Sequence, residues 1–281
     1  MRSAFANMGK TLFAFLLLLA GVTGRAQIQD PFTEAVQTHV DHIEEFIERF
    51  NFKEGSRFRQ YTDATYPEYN VDRAVVVNAL FNKRLKKTDQ AIRQRFVEAV
   101  INPSRPAYLE VYDALWYATV PVSMRIEGEY VELEVTLEVQ LNRDYSIEWT
   151  VIGMSSEIFE NLKPDKDLYI SVSSHATFFP ELREGLSSTN HFQNIVSDSQ
   201  KASNTQKFIN LIDDKEVSDI KILNGISYHF LQISGWIMVV EYAPQDYSLN
   251  TGWLISEVIP VDSFLKKRMY QREQLGIMSN E

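Results

Sequence analysis

Ser173, Ser174 and His175 set a hydroxyl next to an imidazole, the two groups that a nucleophilic hydrolase brings together. Catalytic partners usually come from separate segments, and here they are adjacent. The chain has no G-x-S-x-G elbow, and Gly153-Met154-Ser155-Ser156-Glu157 lacks the second glycine. A loop-capping role for the two serines is therefore expected instead of nucleophilic chemistry. His39 and His42 stand three residues apart, a spacing that on a helix begins a metal site. Glu45 would point to the opposite side of such a helix, so no third ligand follows from spacing, and zinc needs three or four. Neither a metal nor a cofactor is expected. No glycine-rich phosphate loop is present, and no catalytic residue is assigned.

Glu132, Glu134, Glu138 and Glu148 fall on the polar positions of alternating stretches and are expected to form a solvated face that opposes edge-to-edge association. The 13 Tyr, 17 Phe and 4 Trp point in another direction, because exposed aromatic rings anchor protein partners and sugars. Trp116 and Tyr117 are neighbours on a strand and face opposite sides, so one of them is expected outside the core. Trp236 and Trp253 begin strands, where strand ends meet loops and ligands. His175, Trp116, Trp236 and Trp253 are the candidate binding residues.

The elements that must position these residues are read from periodicity. A helix is expected over residues 29–50, entered at Pro31, with Val36, Val40, Ile43, Ile47 and Phe50 on one side. A Tyr-rich loop follows, then helices over 72–85 and 89–100, the last closed by Asn102-Pro103. The period then changes from helical to alternating. Val131, Leu133, Val135, Leu137, Val139 and Leu141 alternate with polar residues, which defines a long strand with one wet face. Strands over 115–126 and 145–151 flank it in an antiparallel meander. Pro121 lacks an amide proton, so its strand needs an unpaired position or a bulge there. A charged, proline-bearing stretch at 163–167 marks a candidate boundary. Beyond it, strands are expected over 217–223, 226–233, 236–242 and 253–259, the first two joined as a hairpin by Asn224-Gly225. A helix over 262–275 ends the chain.

Composition limits the partners. With no cysteine there is no disulfide, thiolate metal site or cysteine nucleophile. The formal net charge of −10 repels phosphate backbones and anionic lipid, so nucleic acid is excluded as a partner and direct electrostatic membrane binding is not expected. Arg2 and Lys10 precede an apolar run over 11–22, and Gly24-Arg25-Ala26 follows it. This is the pattern of a secretory signal peptide over residues 1–26, with the run too short to span a bilayer. No cysteine follows the run, so a lipoprotein is not expected. The mature chain is expected to be exported, periplasmic or extracellular, soluble, and without an integral membrane segment.

Helices followed by long antiparallel strands, as in residues 33–157, resemble the element order of the NTF2-like α+β cone, whose curved sheet wraps helices around a pocket. The resemblance implies an α+β fold of NTF2-like or cystatin-like character over 27–162, with a second α+β domain and its four-stranded meander over 163–281. The stretches ISVSSHATFF at 170–179 and NTGWLI at 250–255 resemble segments of uncharacterised exported bacterial proteins, which implies export and no particular activity. Taken with the residues, the expected function is non-catalytic binding of a protein, small-molecule or glycan ligand. Two alternatives stay open: an NTF2-like pocket enzyme with a cavity His or Asp as base, and a structural component of an envelope assembly.

Overall fold

The computed structural model describes residues 39–69, 71–85, 87–112, 115–126, 128–141, 147–155, 217–223, 225–244 and 250–277. Among these residues four helices come first. Helix α1 (Ile43–Asn51) follows His42 and closes at Phe52, whose positive φ of 42° turns the chain. The expected helix begins earlier, but His39 and Val40 are not helical: Val40 pairs with Gly252 in an isolated parallel bridge, so helical spacing there has no helix beneath it. Residues 29–38 lie outside the described residues. The Tyr-rich stretch expected as a loop contains helix α2 (Arg57–Thr65), whose N-cap Ser56 accepts a hydrogen bond from the Arg59 amide at 3.3 Å. Helix α3 (Arg73–Ala79) starts at Asp72 as expected, its carboxylate accepting from the Val75 amide at 2.9 Å. It stops six residues short of the expected end, because Leu80 O and Asn82 N turn outward to pair with both backbone groups of Ile255. Helix α4 (Gln90–Ile101) begins after Asp89, whose side chain caps the Ala91 amide, and ends before Pro103.

The strands are β1 (Trp116–Ile126), β2 (Glu129–Leu141), β3 (Ile147–Ser155), β4 (Val217–Ile222), β5 (Ser227–Phe230), β6 (Trp236–Ala243) and β7 (Gly252–Pro260). They make one antiparallel sheet in the order β3-β2-β1-β5-β6-β7, with β4 also paired to β1. The sheet therefore runs across the boundary placed between residues 162 and 163, and residues 37–281 cluster as one compact unit. The fold class is α+β, with helices preceding a large antiparallel sheet. The charged stretch at 163–167 lies outside the described residues.

Strands β4 and β5, expected as a hairpin, each pair with β1, and Asn224 lies outside the described residues. Strands β4 and β5 lie end to end along the same edge of β1, with Ile222 opposite Val122 and Ser227 opposite Thr119. The ladder is interrupted between these two pairs, at the proline, and Pro121 uses only its carbonyl on this side, accepting from the Leu223 amide at 2.8 Å. The missing amide proton of Pro121 is the physical reason. Local turn chemistry is overridden because β1 offers partners to both segments.

Two apolar clusters cover opposite faces of this sheet. The larger joins Ile43, Phe46, Phe50, Val77, Phe96 and Val100 of the helices to Trp116, Val120, Val135, Leu137, Phe230 and Val240. The smaller contains Tyr117, Ile152, Leu231, Ile237, Val261 and Leu275, beneath the C-terminal helix α5 (Phe264–Gln274). Both faces of β1 are covered, so the expectation that Trp116 or Tyr117 lies outside is corrected: they are 0% and 3% exposed.

Candidate functional site

The four aromatic and histidine candidates separate. His175 lies outside the described residues. Trp116 is fully buried, its ring 5.2 Å from Phe230 and nearly parallel to it, with the indole N–H donated to Val111 O at 3.0 Å. Trp236 is 6% exposed and packs edge-on against Phe96. Both are core residues, packed among side chains of helices α1, α3 and α4. Trp253 alone is half-buried.

Around Trp253 the sheet and the chain preceding α1 bring several groups together. Tyr242 stands directly opposite Trp253 in the β6–β7 register, and the two rings meet edge to face at 5.4 Å. Tyr242 is 49% exposed, a π surface and a hydroxyl facing water. Beneath Trp253 lies Tyr228, 4.7 Å away, which in turn packs on Trp116 and Trp149. Burial, reinforced by the Glu44 carboxylate, pushes the Tyr228 phenol well above its ordinary value, so it stays neutral. Trp253 is thus the outer member of an aromatic row anchored in the core.

His39 closes the other side, its ring perpendicular to Tyr242 at 6.1 Å. The Val40–Gly252 bridge carries it there. Its Nε2 lies 2.7 Å from Asp41 Oδ1 and 3.4 Å from the Tyr242 hydroxyl, and its Nδ1 lies 2.7 Å from Thr251 Oγ1. In the neutral ring, Nε2–H donates to the carboxylate and Nδ1 accepts from Thr251. These bonds hold the imidazole side-on to the aromatic pair. Of the histidine pair, His39 is hydrogen-bonded to Asp41 and Thr251, and His42 is the exposed residue before α1. Among the described residues no group of three or more His, Asp or Glu is placed to hold an ion.

The opposite face carries a second polar constellation that sequence reasoning missed. His229 Nε2 lies 3.0 Å from Thr119 Oγ1, and its Nδ1 lies 2.8 Å from the Tyr270 hydroxyl on α5. The only sequence signal was a histidine inside an apolar strand. Burial lowers the His229 pKa to about 4. It also raises those of Tyr270, Glu134 and Glu138, the two carboxyls lying half-buried on β2. The solvated glutamate face is corrected at these two positions, since only Glu132 of the three described is exposed. For Glu148 the structure describes only its backbone pairing with Gln140.

The depressed value has a pH consequence. Above pH 6.5 His229 is neutral folded and unfolded, and it contributes no pH dependence. Between pH 6.5 and about 4 the unfolded chain binds a proton that the folded one refuses, so stability falls through this window as pH falls. Glu134 and Glu138 act oppositely, since their penalised charge is relieved on acidification. The His229 part is therefore read as a difference: urea denaturation of wild type and His229→Asn at pH 7 and pH 4.5 is expected to show the smaller acid loss in the variant. Equal losses would refute it.

Comparison of the chain with family models, with curated proteins and with solved structures gives no match. The functional reading rests on the residues above.

Proposed function

We propose that the protein is an exported, soluble binding protein that takes its ligand on the Tyr242–Trp253–His39 surface. The observation that carries this reading is an exposed tyrosine ring held edge to face on a half-buried tryptophan, with a fixed imidazole and a carboxylate at its side. Aromatic rings beside hydrogen-bonding groups suit a flat, hydroxyl-bearing ligand such as a sugar ring, whose C–H face packs on the π surface while its hydroxyls meet Asp41 and His39. Export is read from the charged start, the apolar run over 11–22 and the small residues before Gln27.

Trp253 reports on its own site. Titration of a glycan panel against intrinsic fluorescence is expected to find a ligand whose affinity falls roughly 30-fold in Tyr242→Ala, the loss of an anchor of about 2 kcal/mol. An unchanged affinity in that variant would move the site elsewhere.

A second reading has one specific observation behind it. Thr251 hydroxyl, His39 imidazole and Asp41 carboxylate stand in line, an order that suits general base chemistry and the pocket enzyme of NTF2-like type. The readings separate at His39→Gln: a binder keeps most of its affinity, whereas an enzyme keeps affinity and loses turnover of the bound ligand.

A further inference from the structure

The three residues 39–41 form a strap along β7 whose backbone groups alternate as in a strand. Val40 turns both of its groups to β7, its amide donating to Thr251 O at 3.1 Å and its carbonyl accepting from the Trp253 amide at 2.9 Å. The flanking groups turn the other way, towards α1. Arg49 Nη2 donates to His39 O at 3.1 Å, and Glu45 Oε2 accepts from the Asp41 amide at 3.0 Å. The two side chains are four residues apart on one side of the helix and are joined to each other through Arg49 Nη2 and Glu45 Oε1. An ion pair therefore stands where the next strand would be.

Stability alone does not explain such a pair. The Arg49 side chain is 5% exposed, with its guanidinium carbon 4.5 Å from the centre of the Phe58 ring on α2. Charges taken this far out of water recover little net free energy from each other, and apolar side chains of similar volume commonly hold a fold as well or better. What the charges supply is direction. The planar guanidinium, set over Phe58, aims at one carbonyl of the strap, and the carboxylate it holds aims its second oxygen at one amide. The groups so fixed belong to His39 and Asp41, which flank the aromatic pair. The Asp41 side chain is 63% exposed, so its place is set by its backbone more than by packing. Groups that meet a ligand hold their geometry only as well as the residues behind them do.

We infer that the Glu45–Arg49 pair is the positioning element of the Tyr242–Trp253–His39 surface: it holds the strap that carries His39 and Asp41, and ligand affinity depends on it although neither residue touches the ligand. The inference rests on the reading of that surface as the ligand site. Its test replaces both charges at once, Glu45→Leu with Arg49→Met, in the full-length chain. The thermal midpoint is expected to stay close to wild type or to rise, because no buried charge is left without its partner. The amides of Val40 and Trp253 bond on the β7 side and touch neither residue, yet their hydrogen exchange is expected to be about tenfold faster or more. Affinity for a panel of cello-, malto- and chito-oligosaccharides should fall about tenfold with it. Glu45→Gln keeps the shape but offers one acceptor oxygen where two are in use, so it should lose part of both and serves if the double variant does not fold. A contribution to the fold alone would move the melting midpoint and spare the strap. Wild-type exchange at Val40 and Trp253 in both variants would overturn the inference, as would faster exchange with unchanged affinity. Oligosaccharides that lose affinity in Tyr242→Ala but not in the Glu45 and Arg49 variants leave the ligand surface standing and sink the inference alone. A panel that wild type does not bind overturns both.

Discussion

Gly252→Ala is expected to lose roughly 3 kcal/mol of folding stability and to dismantle the Tyr242–Trp253–His39 surface with it. Gly252 has a φ of +85°, and a Cβ placed on it would lie 2.1 Å from Val40 O and 2.7 Å from Val40 N and C. Backbone atoms cannot swing aside as a side-chain tip can. Val40 is fixed on both sides, its amide donating to Thr251 O and its carbonyl accepting from the Trp253 amide. Adding a methyl group therefore forces the strap at 39–41 off β7, and His39 leaves Thr251 with it. Gly55 supplies the matched control: its φ is +79°, yet nothing lies within 4 Å of its virtual Cβ. Gly55→Ala should cost only the backbone strain of a left-handed alanine, about 1 kcal/mol. Urea denaturation of the two variants decides, and equal losses would show that the close approach to Val40 is not what fixes the strap.

Val135→Asp should be at least as damaging. Val135 is fully buried, stands opposite Val120 on β1, and belongs to the larger apolar cluster. A carboxylate there has no cation to meet. It either remains charged against a large desolvation cost or takes up a proton, and both routes cost several kcal/mol, roughly 4 in total. Its neighbour Glu134 projects from the other face and is half-buried without such packing, so Glu134→Gln should change stability by no more than about 0.5 kcal/mol. A one-residue slip would exchange these two outcomes, and similar melting shifts for the pair would refute the register.

That register could be read from residues because β2 packs one face on the helices: Leu133, Val135, Leu137 and Val139 are all buried there. The helix starts at Asp72 and Asp89 were legible from local spacing, though not the caps those two side chains supply. The start of α1, the end of α3 and the pairing of β4 and β5 were not. Residues 39–40 and 80–82 carry helical spacing, yet they pair with β7 some 170 to 210 positions away, and long-range pairing leaves no local trace. The dipeptide Asn224-Gly225 favours a tight turn in the sequence, but the strands on either side of it both pair with β1. Of the aromatic surface, Trp253 was legible as a strand-opening tryptophan. Tyr242, Thr251 and Asp41 were not, since only the β6–β7 register and the Val40 bridge bring them to it. His229 stayed hidden because a histidine between apolar neighbours reads as any core position until its partners on β1 and α5 are known.

The end-to-end seating of β4 and β5 along β1 also governs how the chain reaches this state. Strands β1 to β3 pair with sequence neighbours, as do β5 to β7, so each meander forms from short-range contacts. The seam between them joins Thr119 to His229 across 110 residues, a closure that costs roughly 4 kcal/mol of chain entropy before any contact repays it. Until then Trp116 and Trp149 lack Tyr228 and Phe230, and one edge of β1 is unpaired. Pairing at such sequence separation is the kind that slows folding, and until β5 arrives Trp116 and Trp149 stand without the rings that cover them.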